Sequence, residues 1–382
     1  LIVDEGDPLN EILFNKSVNN LKSLGIFKKV NTDIKEGSNS SLKIIDINIE
    51  ERPSGEISLS AGFGTTGELI GGGLKEKNFL GKGINLDTSL ELTPESVKGN
   101  FVYAKPNFNN TDNTLFTSLK SSTNDFLSNS GYKTSELGFS LGTKFEQFQN
   151  IFLSPEIDFL LEDLETSNKA SDVLKKQEGS YTDLYFNYTI NQDLRDRKFR
   201  TQDGYQTFFS QEVPLISDNS EFSNAFEFSK FKKLSTKSDT IGKVSFFAKT
   251  ITSLSDDVRI SKRLNIPTNK LRGFEKGRVG PIDNNDYVGG NHVTTLNLSA
   301  TLPNILEDLD NLDIGVFFDA ANIWGVDYNS SLDDKSTIRT STGIAFNLLT
   351  PIGPLSFSFA NALTKASSDK TETFRFRLGT QF

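Results

Sequence analysis

The chain has 382 residues, long enough for two ordinary domains or for one large β-structure with an appendage. It contains no Cys, which excludes disulfides, thiol nucleophiles and thiolate metal sites. Its single His, His292, excludes multi-His metal centres and disfavours Ser–His catalysis. A net charge of −9 and a pI near 5.0 argue against a nucleic-acid surface.

No apolar run approaches the roughly eighteen residues needed for a membrane helix. The mean hydropathy of −0.37 suits a soluble chain. It suits a transmembrane β-barrel equally, because only every second residue of such a strand faces lipid. The 32 Phe against one Trp tilt the balance toward strands and membrane interfaces, where aromatic residues concentrate. The sequence lacks Met, so the absence of a signal peptide says nothing about export.

Residues 1–52 read as a small α/β unit. Leu9, Ile12, Leu13, Val18, Leu21 and Leu24 recur mostly three or four apart, which predicts a helix over 8–24. Asp7 followed by Pro8 supplies an N-cap and first-turn pair, and Gly25 ends the helix. A strand over 28–35, a polar turn over 36–41 and a second strand over 42–51 follow. In the second strand Leu42 and Ile44 share one face, with Ile45, Ile47 and Ile49 on the other. A helix on a hairpin is too small to bury a full core, so a further element is expected before Leu1. Pro53-Ser54-Gly55 marks the boundary, dividing 1–53 from 54–382.

Beyond Gly55 the period changes to two. Alternating segments recur near 56–64, 66–76, 83–92, 96–104, 112–123, 132–143, 150–161, 180–190, 204–213, 221–232, 239–252, 289–302, 311–324, 336–349, 352–362 and 372–382. The last is the clearest: Phe374, Phe376, Leu378, Thr380 and Phe382 alternate with Arg375, Arg377, Gly379 and Gln381. Such dyads also suit a soluble sandwich with one wet face. Short turns mixed with long polar loops fit an outer-membrane barrel better, with the polar face lining a wet lumen. The predicted fold is therefore mainly β, a 16-stranded antiparallel transmembrane barrel.

The longest connection, about thirty-five residues, is of a length that marks function or disorder. It carries LRGFEKGRVGP, Leu271–Pro281, with three glycines and the cations Arg272, Lys276 and Arg278, a composition suited to a tight reversing tip. In the thirteenth segment Asp313, Gly315, Phe317 and Asp319 share the polar face, so Asp319 is expected in the lumen. Arg272 folded back onto Asp319 would make a directional fork. The bland alternative is an exposed basic loop and a carboxylate lining water. Gly71–Gly83 has the wrong spacing for a phosphate loop, and Asp256-Asp257 and Asp333-Asp334 read as solvated loop ends. No general acid–base pair, metal site or cofactor motif emerges, and the chain is not read as an enzyme.

Several of these segments resemble BamA-type outer-membrane β-barrel assembly proteins, a superfamily of POTRA domains joined to a barrel. Leu271-Arg272-Gly273-Phe274 looks like the [V/I]RG[F/Y] tip of that family's sixth extracellular loop. Phe317-Phe318-Asp319 resembles the start of its strand motif F-x-D-x-G. Asp193–Gln206 is similar to its junction of an Asp-Arg pair followed by F-P-T-x-G, and Thr350–Ala360 to its Pro-Leu-Gly-Pro turn. The helix, Leu24-Gly25-Ile26-Phe27 and the exit Glu50-Glu51-Arg52-Pro53 resemble the end of a POTRA domain, so 1–53 is expected to be its C-terminal part. Departures are Leu271 for Val or Ile, Ala321 for Gly, Arg200 for Pro, and Gly204 one residue late. Ser299 stands where the twelfth strand often has an acid, leaving Asp319 as the main candidate partner for Arg272.

The resemblance implies folding and insertion of other β-barrels in a bacterial outer membrane, with the POTRA portion in the periplasm and without nucleotide or cofactor. It implies unfolded outer-membrane proteins, accessory lipoproteins and outer-membrane lipid as partners, and no nucleic acid. The mechanism implied is a weak lateral seam between first and last strands, with Ile57, Leu59 and Phe63, expected to point outward, on one side and Phe374, Phe376 and Phe382 on the other. A poorly paired edge offers free N–H and C=O groups to an incoming strand, and Gly55, Gly62 and Gly64 weaken the first strand. The alternative within the fold is a TamA-like or two-partner secretion translocation barrel. A passive porin would need neither the loop motif nor the POTRA unit.

Overall fold

The structure, a computed structural model, describes residues 5–379 apart from residues 40, 66, 199, 236–239, 303–310 and 351–352. It opens with α1 (Glu11–Ser23) and an antiparallel hairpin of β1 (Phe27–Glu36) and β2 (Lys43–Glu51). The helix starts later than Pro8 because Asn10, not Asp7, caps it: its Oδ1 accepts from the N–H of Ile12 at 3.0 Å and of Leu13 at 3.2 Å. Phe14 and Val18 are buried, whereas Ile12 is 80% exposed. Ile44 and Ile49 on β2 are exposed as well, since one short helix cannot cover both faces of a hairpin.

The wall follows as β3 (Gly55–Gly64), β4 (Gly67–Phe79), β5 (Ile84–Thr93), β6 (Ser96–Lys105), β7 (Thr114–Phe126), β8 (Tyr132–Phe148), β9 (Ile151–Thr166) and β10 (Gly179–Asp193). It continues through β11 (Gly204–Ser217), β12 (Glu221–Lys233) and β13 (Ile241–Ser253). The long connection 254–291 then contains a two-residue ribbon, β14 (Ile282–Asp283) with β15 (Asp286–Tyr287). β16 (His292–Leu302), β17 (Leu312–Trp324), β18 (Arg339–Thr350), β19 (Gly353–Thr364) and β20 (Phe374–Gly379) complete the wall. Each wall strand pairs antiparallel with the next, and β20 returns to β3, closing a barrel of sixteen strands. Over the described residues, every alternating segment read from the sequence overlaps one strand; positions 380–382 of the last segment lie outside them. β8 and β9 run on to Phe148 and Thr166, past the expected 143 and 161.

The alternation is written on the two faces. Ile57, Leu59, Phe139, Phe226, Phe246 and Val316 stand exposed on the outside, and an apolar belt of this kind is a lipid-facing surface. Inside, hydroxyl pairs such as Ser118–Ser140 (2.6 Å) and Ser229–Ser245 (2.8 Å) are buried. Among the described residues no helix is long and apolar enough to cross a membrane.

The apolar core lies at one end of the barrel. Connection 254–291 folds into the lumen, burying Leu271, Phe274 and Val279 against Val293 of β16 and Ala321 and Ile323 of β17. A second cluster joins Ile260 and Val288 of this connection to Leu164 at the end of β9 and to Leu174 and Tyr328 of neighbouring loops. The loop after β9, one of the long polar connections, holds a short helix, α2 (Asp172–Lys175), capped by Ser171. These loops together cap one mouth of the barrel.

Candidate functional site

Asp319 alternates into the lumen from β17 and is 0% exposed. Arg272 closes on it with a two-point fork, Nε to Oδ2 at 2.8 Å and Nη2 to Oδ1 at 2.7 Å. The guanidinium lies over the Phe317 ring, 3.4 Å from its centroid, so an aromatic face backs the fork. Ser341 Oγ donates to the Arg272 carbonyl at 2.5 Å. Gly273 takes φ +87, and a Cβ there would lie 3.1 Å from the Ala360 Cβ and 3.3 Å from the Ser341 Cβ. Only glycine serves that backbone at that distance. Phe274 then turns into the apolar cluster.

The carboxylate has a further partner that the sequence reading did not single out. Asn297, opposite Asp319 in the β16–β17 register, donates from Nδ2 to Asp319 Oδ1 at 2.9 Å and to the Lys270 carbonyl at 2.7 Å. Ser299, two residues along, pairs with Phe317 instead. The third member of the network is thus a neutral amide and not a second carboxylate.

Three more nodes fasten the same connection. Arg259, 1% exposed, donates to Glu221 from Nε at 3.0 Å and to Asp183 from Nη2 at 2.6 Å, while its Nη1 lies 3.5 Å from Glu162. It stacks on Tyr181 at 4.4 Å. Burial opposes its charge, but Glu221, Glu162 and Asp183 outweigh that and hold the guanidinium pKa above its ordinary value. Arg263 pairs with Asp327 and with Asn291 Oδ1 at 2.9 Å. Arg339 holds Asp369 at 2.9 Å, and Asp369 accepts from the Gly280 N–H at 3.2 Å. None of these partners was singled out from the sequence. The cations in DDVRISKRL are visible there, but nothing local picks their carboxylates from fifty acidic residues.

At the closure, β20 meets β3 among the described residues only at Arg377↔Gly64, Leu378↔Phe63 and Gly379↔Gly62. By contrast β3 meets β4 along its whole length, from Gly55↔Glu76 to Gly64↔Gly67. Gly64 permits this approach: a Cβ there would lie 2.3 Å from the Phe376 carbonyl. Phe63 packs edge-on to Phe376 at 6.3 Å, and Phe374 packs on Phe359 at 5.0 Å. Ile57 and Leu59 project outward from β3 at 79% and 82% exposure, below the described pairing with β20. Phe382 lies outside the described residues. A cavity of about 810 Å³ runs from the loop tip at Arg272 and Lys276 to Phe63, Arg375 and Arg377 at the closure.

The junction after β10 is a structured turn. Arg195 forks onto Asp193 at 2.8 Å, and Asp196 accepts from the N–H groups of Gln202 and Asp203. Arg200 has φ +50, which proline cannot adopt, so its departure from the family pattern accompanies a different local backbone.

The model of the Omp85 superfamily domain matches residues 78–382. The chain is 24% identical over 445 residues to the outer membrane protein assembly factor BamA of Neisseria meningitidis serogroup B, covering 99% of this chain and 53% of that protein. With BamA of Neorickettsia risticii it shares 21% identity over 388 residues, covering 100% and 52%. The chain thus spans about half the length of the BamA proteins it matches. The crystal structure of BamA from Haemophilus ducreyi lacking POTRA domains 1–3 superimposes with a TM-score of 0.86 at 22% identity, covering 100% of this chain and 80% of that one. CdiB from Acinetobacter baumannii gives a TM-score of 0.59 at 12% identity, covering 99% and 70%.

Proposed function

The chain belongs to the Omp85 superfamily as a BamA-type member, and from that premise we propose that it folds and inserts other β-barrel proteins at the junction of β3 and β20. The observation that carries this reading is the short register at the closure among the described residues, set against the full-length pairing of β3 with β4. A strand edge with unused N–H and C=O groups is a template for an incoming strand. Glycines at 62 and 64 weaken the edge further. Unfolded outer-membrane proteins are the substrates on this reading, and the outer membrane is the site of action.

The Arg272–Asp319 fork serves this function by keeping the loop inside the lumen, so the wall holds its shape while one junction yields. The helix–hairpin unit of residues 1–53 we read as the end of a periplasmic POTRA domain, the portion that meets substrates and accessory lipoproteins. The alternative, a TamA-like or two-partner secretion translocation barrel, requires the loop to withdraw and clear a path along the lumen. Four anchoring nodes on connection 254–291 favour the assembly reading.

The test is reconstitution of the full-length protein in liposomes with an unfolded barrel substrate. Faster folding of the substrate into the bilayer than in empty liposomes supports assembly. Transfer of substrate into the liposome interior, with no gain in membrane folding, overturns it in favour of translocation.

A further inference from the structure

The inward face of β20 carries Arg375, and its guanidinium does not point at open water. Nη1 donates to the Thr268 carbonyl and Nη2 to the Phe274 carbonyl, both at 2.6 Å, while Nε pairs with Glu372. One side chain of the closing strand thus ties together the two ends of the loop tip. The backbone just before β20 does the same. The Glu275 N–H donates to Lys370 O at 3.0 Å, Lys370 N–H to Arg278 O at 3.0 Å, and Glu372 N–H to Gly273 O at 3.2 Å. Residues 370–372 therefore form a ribbon with the loop tip, and the described register of β19 with β20 runs from Phe359↔Phe374 to Leu355↔Leu378, preceded by the Ala360 N–H donating to Thr373 O at 2.8 Å.

β20 is held from three sides: by β19, by the loop tip and, two residues beyond Arg375, by β3 at Arg377↔Gly64. The Thr65 N–H also donates to Phe376 O at 3.0 Å, so the first bond across the closure is adjacent to Arg375. Over its described residues, Phe374–Gly379, β20 pairs with β3 at three positions, so its contacts with the loop tip are a large share of what holds it.

We propose that Arg375 is a positioning residue that makes docking of the loop tip and closure of the β3–β20 junction a single equilibrium. Lifting the tip frees the entry of β20 and loosens its pairing with β3. By reciprocity of coupled equilibria, opening the junction loosens the tip. This rests on reading that junction as the place where the wall yields, but the test below measures the junction itself and not substrate folding, so the two can fail separately.

The chain has no Cys, so paired cysteines report cleanly. In the full-length protein in membranes, Phe63→Cys with Leu378→Cys reports the closure, and Phe101→Cys with Leu119→Cys on β6–β7 serves as a control pair; both are register partners. Arg375→Ala is expected to lower the closure crosslink several-fold and leave the control pair unchanged. Arg375→Lys, which reaches one carbonyl, is expected to fall between, and it carries the test if the alanine variant is not recovered folded. Arg272→Ala is expected to produce the same loss, with no further loss in the double variant. Conversely, the oxidised closure pair is expected to protect the tip at Arg272 and Arg278 from external trypsin. An unchanged closure crosslink in either Arg375 variant overturns the proposal, and so does an equal fall in the control pair, which would mean general destabilisation.

Discussion

Asp319 accepts three hydrogen bonds from Arg272 alone, one from its backbone N–H and two from its guanidinium, across a separation of forty-seven residues. The carboxylate is fully buried and the guanidinium side chain is 21% exposed, so the two halves of the pair carry unequal risk. Losing Arg272 strands a buried charge; losing Asp319 leaves a cation that can still reach water.

Arg272→Ala is accordingly expected to cost more than Asp319→Ala, about 3–5 kcal/mol by the usual cost of an orphaned buried charge. The double variant should cost much less than the sum, with a coupling energy of about 1–3 kcal/mol. Urea unfolding of the barrel, followed by heat-modifiable mobility, measures each corner of the cycle. Strict additivity would place the influence of Arg272 elsewhere in the loop.

Tying the closure shut tests the proposed function. With Phe63→Cys and Leu378→Cys oxidised, substrate folding by the reconstituted protein is expected to stop, and reductant is expected to restore it, while each single variant stays near the parent rate. Folding at the uncrosslinked rate with a verified crosslink would rule out opening at this junction. A passive pore behaves oppositely, since solute passing along the lumen ignores the wall.

The Arg259 node should dominate the stability of the cap. Arg259→Ala leaves Glu162, Asp183 and Glu221 buried together with Lys262, 3.4 Å from Glu162, as the nearest remaining cation. A loss of about 3–5 kcal/mol is expected, read as earlier loss of hydrogen-exchange protection across residues 258–264. Arg259→Lys should recover little, because an ammonium cannot serve Glu221 and Asp183 at once as a planar fork does.

Acid should loosen the neighbouring node. Burial opposes ionisation of Asp327, but Arg263, the Val258 N–H and Asn291 outweigh it and hold the carboxyl below its usual range. A carboxyl held low binds more protons unfolded than folded, so its stabilisation is present above about pH 4 and fades as pH falls through the lowered value. Hydrogen exchange at Val258–Leu264 should accelerate over that window, and Asp327→Asn should remove the step. A parent and variant with the same pH profile would assign the acid response to another group.

Local pattern was enough for the wall. A period of two shows which residues face lipid and which face the lumen, and Phe376 against Arg375 is legible without any partner in view. The loop tip was legible too, because a tight reversal needs glycine and Gly273 is surrounded by cations. Asp319 could be placed in the lumen by counting along one strand.

What the sequence determined by itself therefore ends with the facing of each strand and the chemistry of each loop. Which strand residues stand across from one another depends on register, and register was decided only when the barrel closed. That is why Asn297 rather than Ser299 reaches Asp319. It is also why Glu162, Asp183 and Glu221, on three different strands, converge on Arg259. The same holds for β20: its alternation shows its two faces, but only the fold shows the backbone ahead of it spending its hydrogen bonds on the loop tip. A backbone group can bond in only one direction at a time, and tertiary packing, not side-chain pattern, chose which.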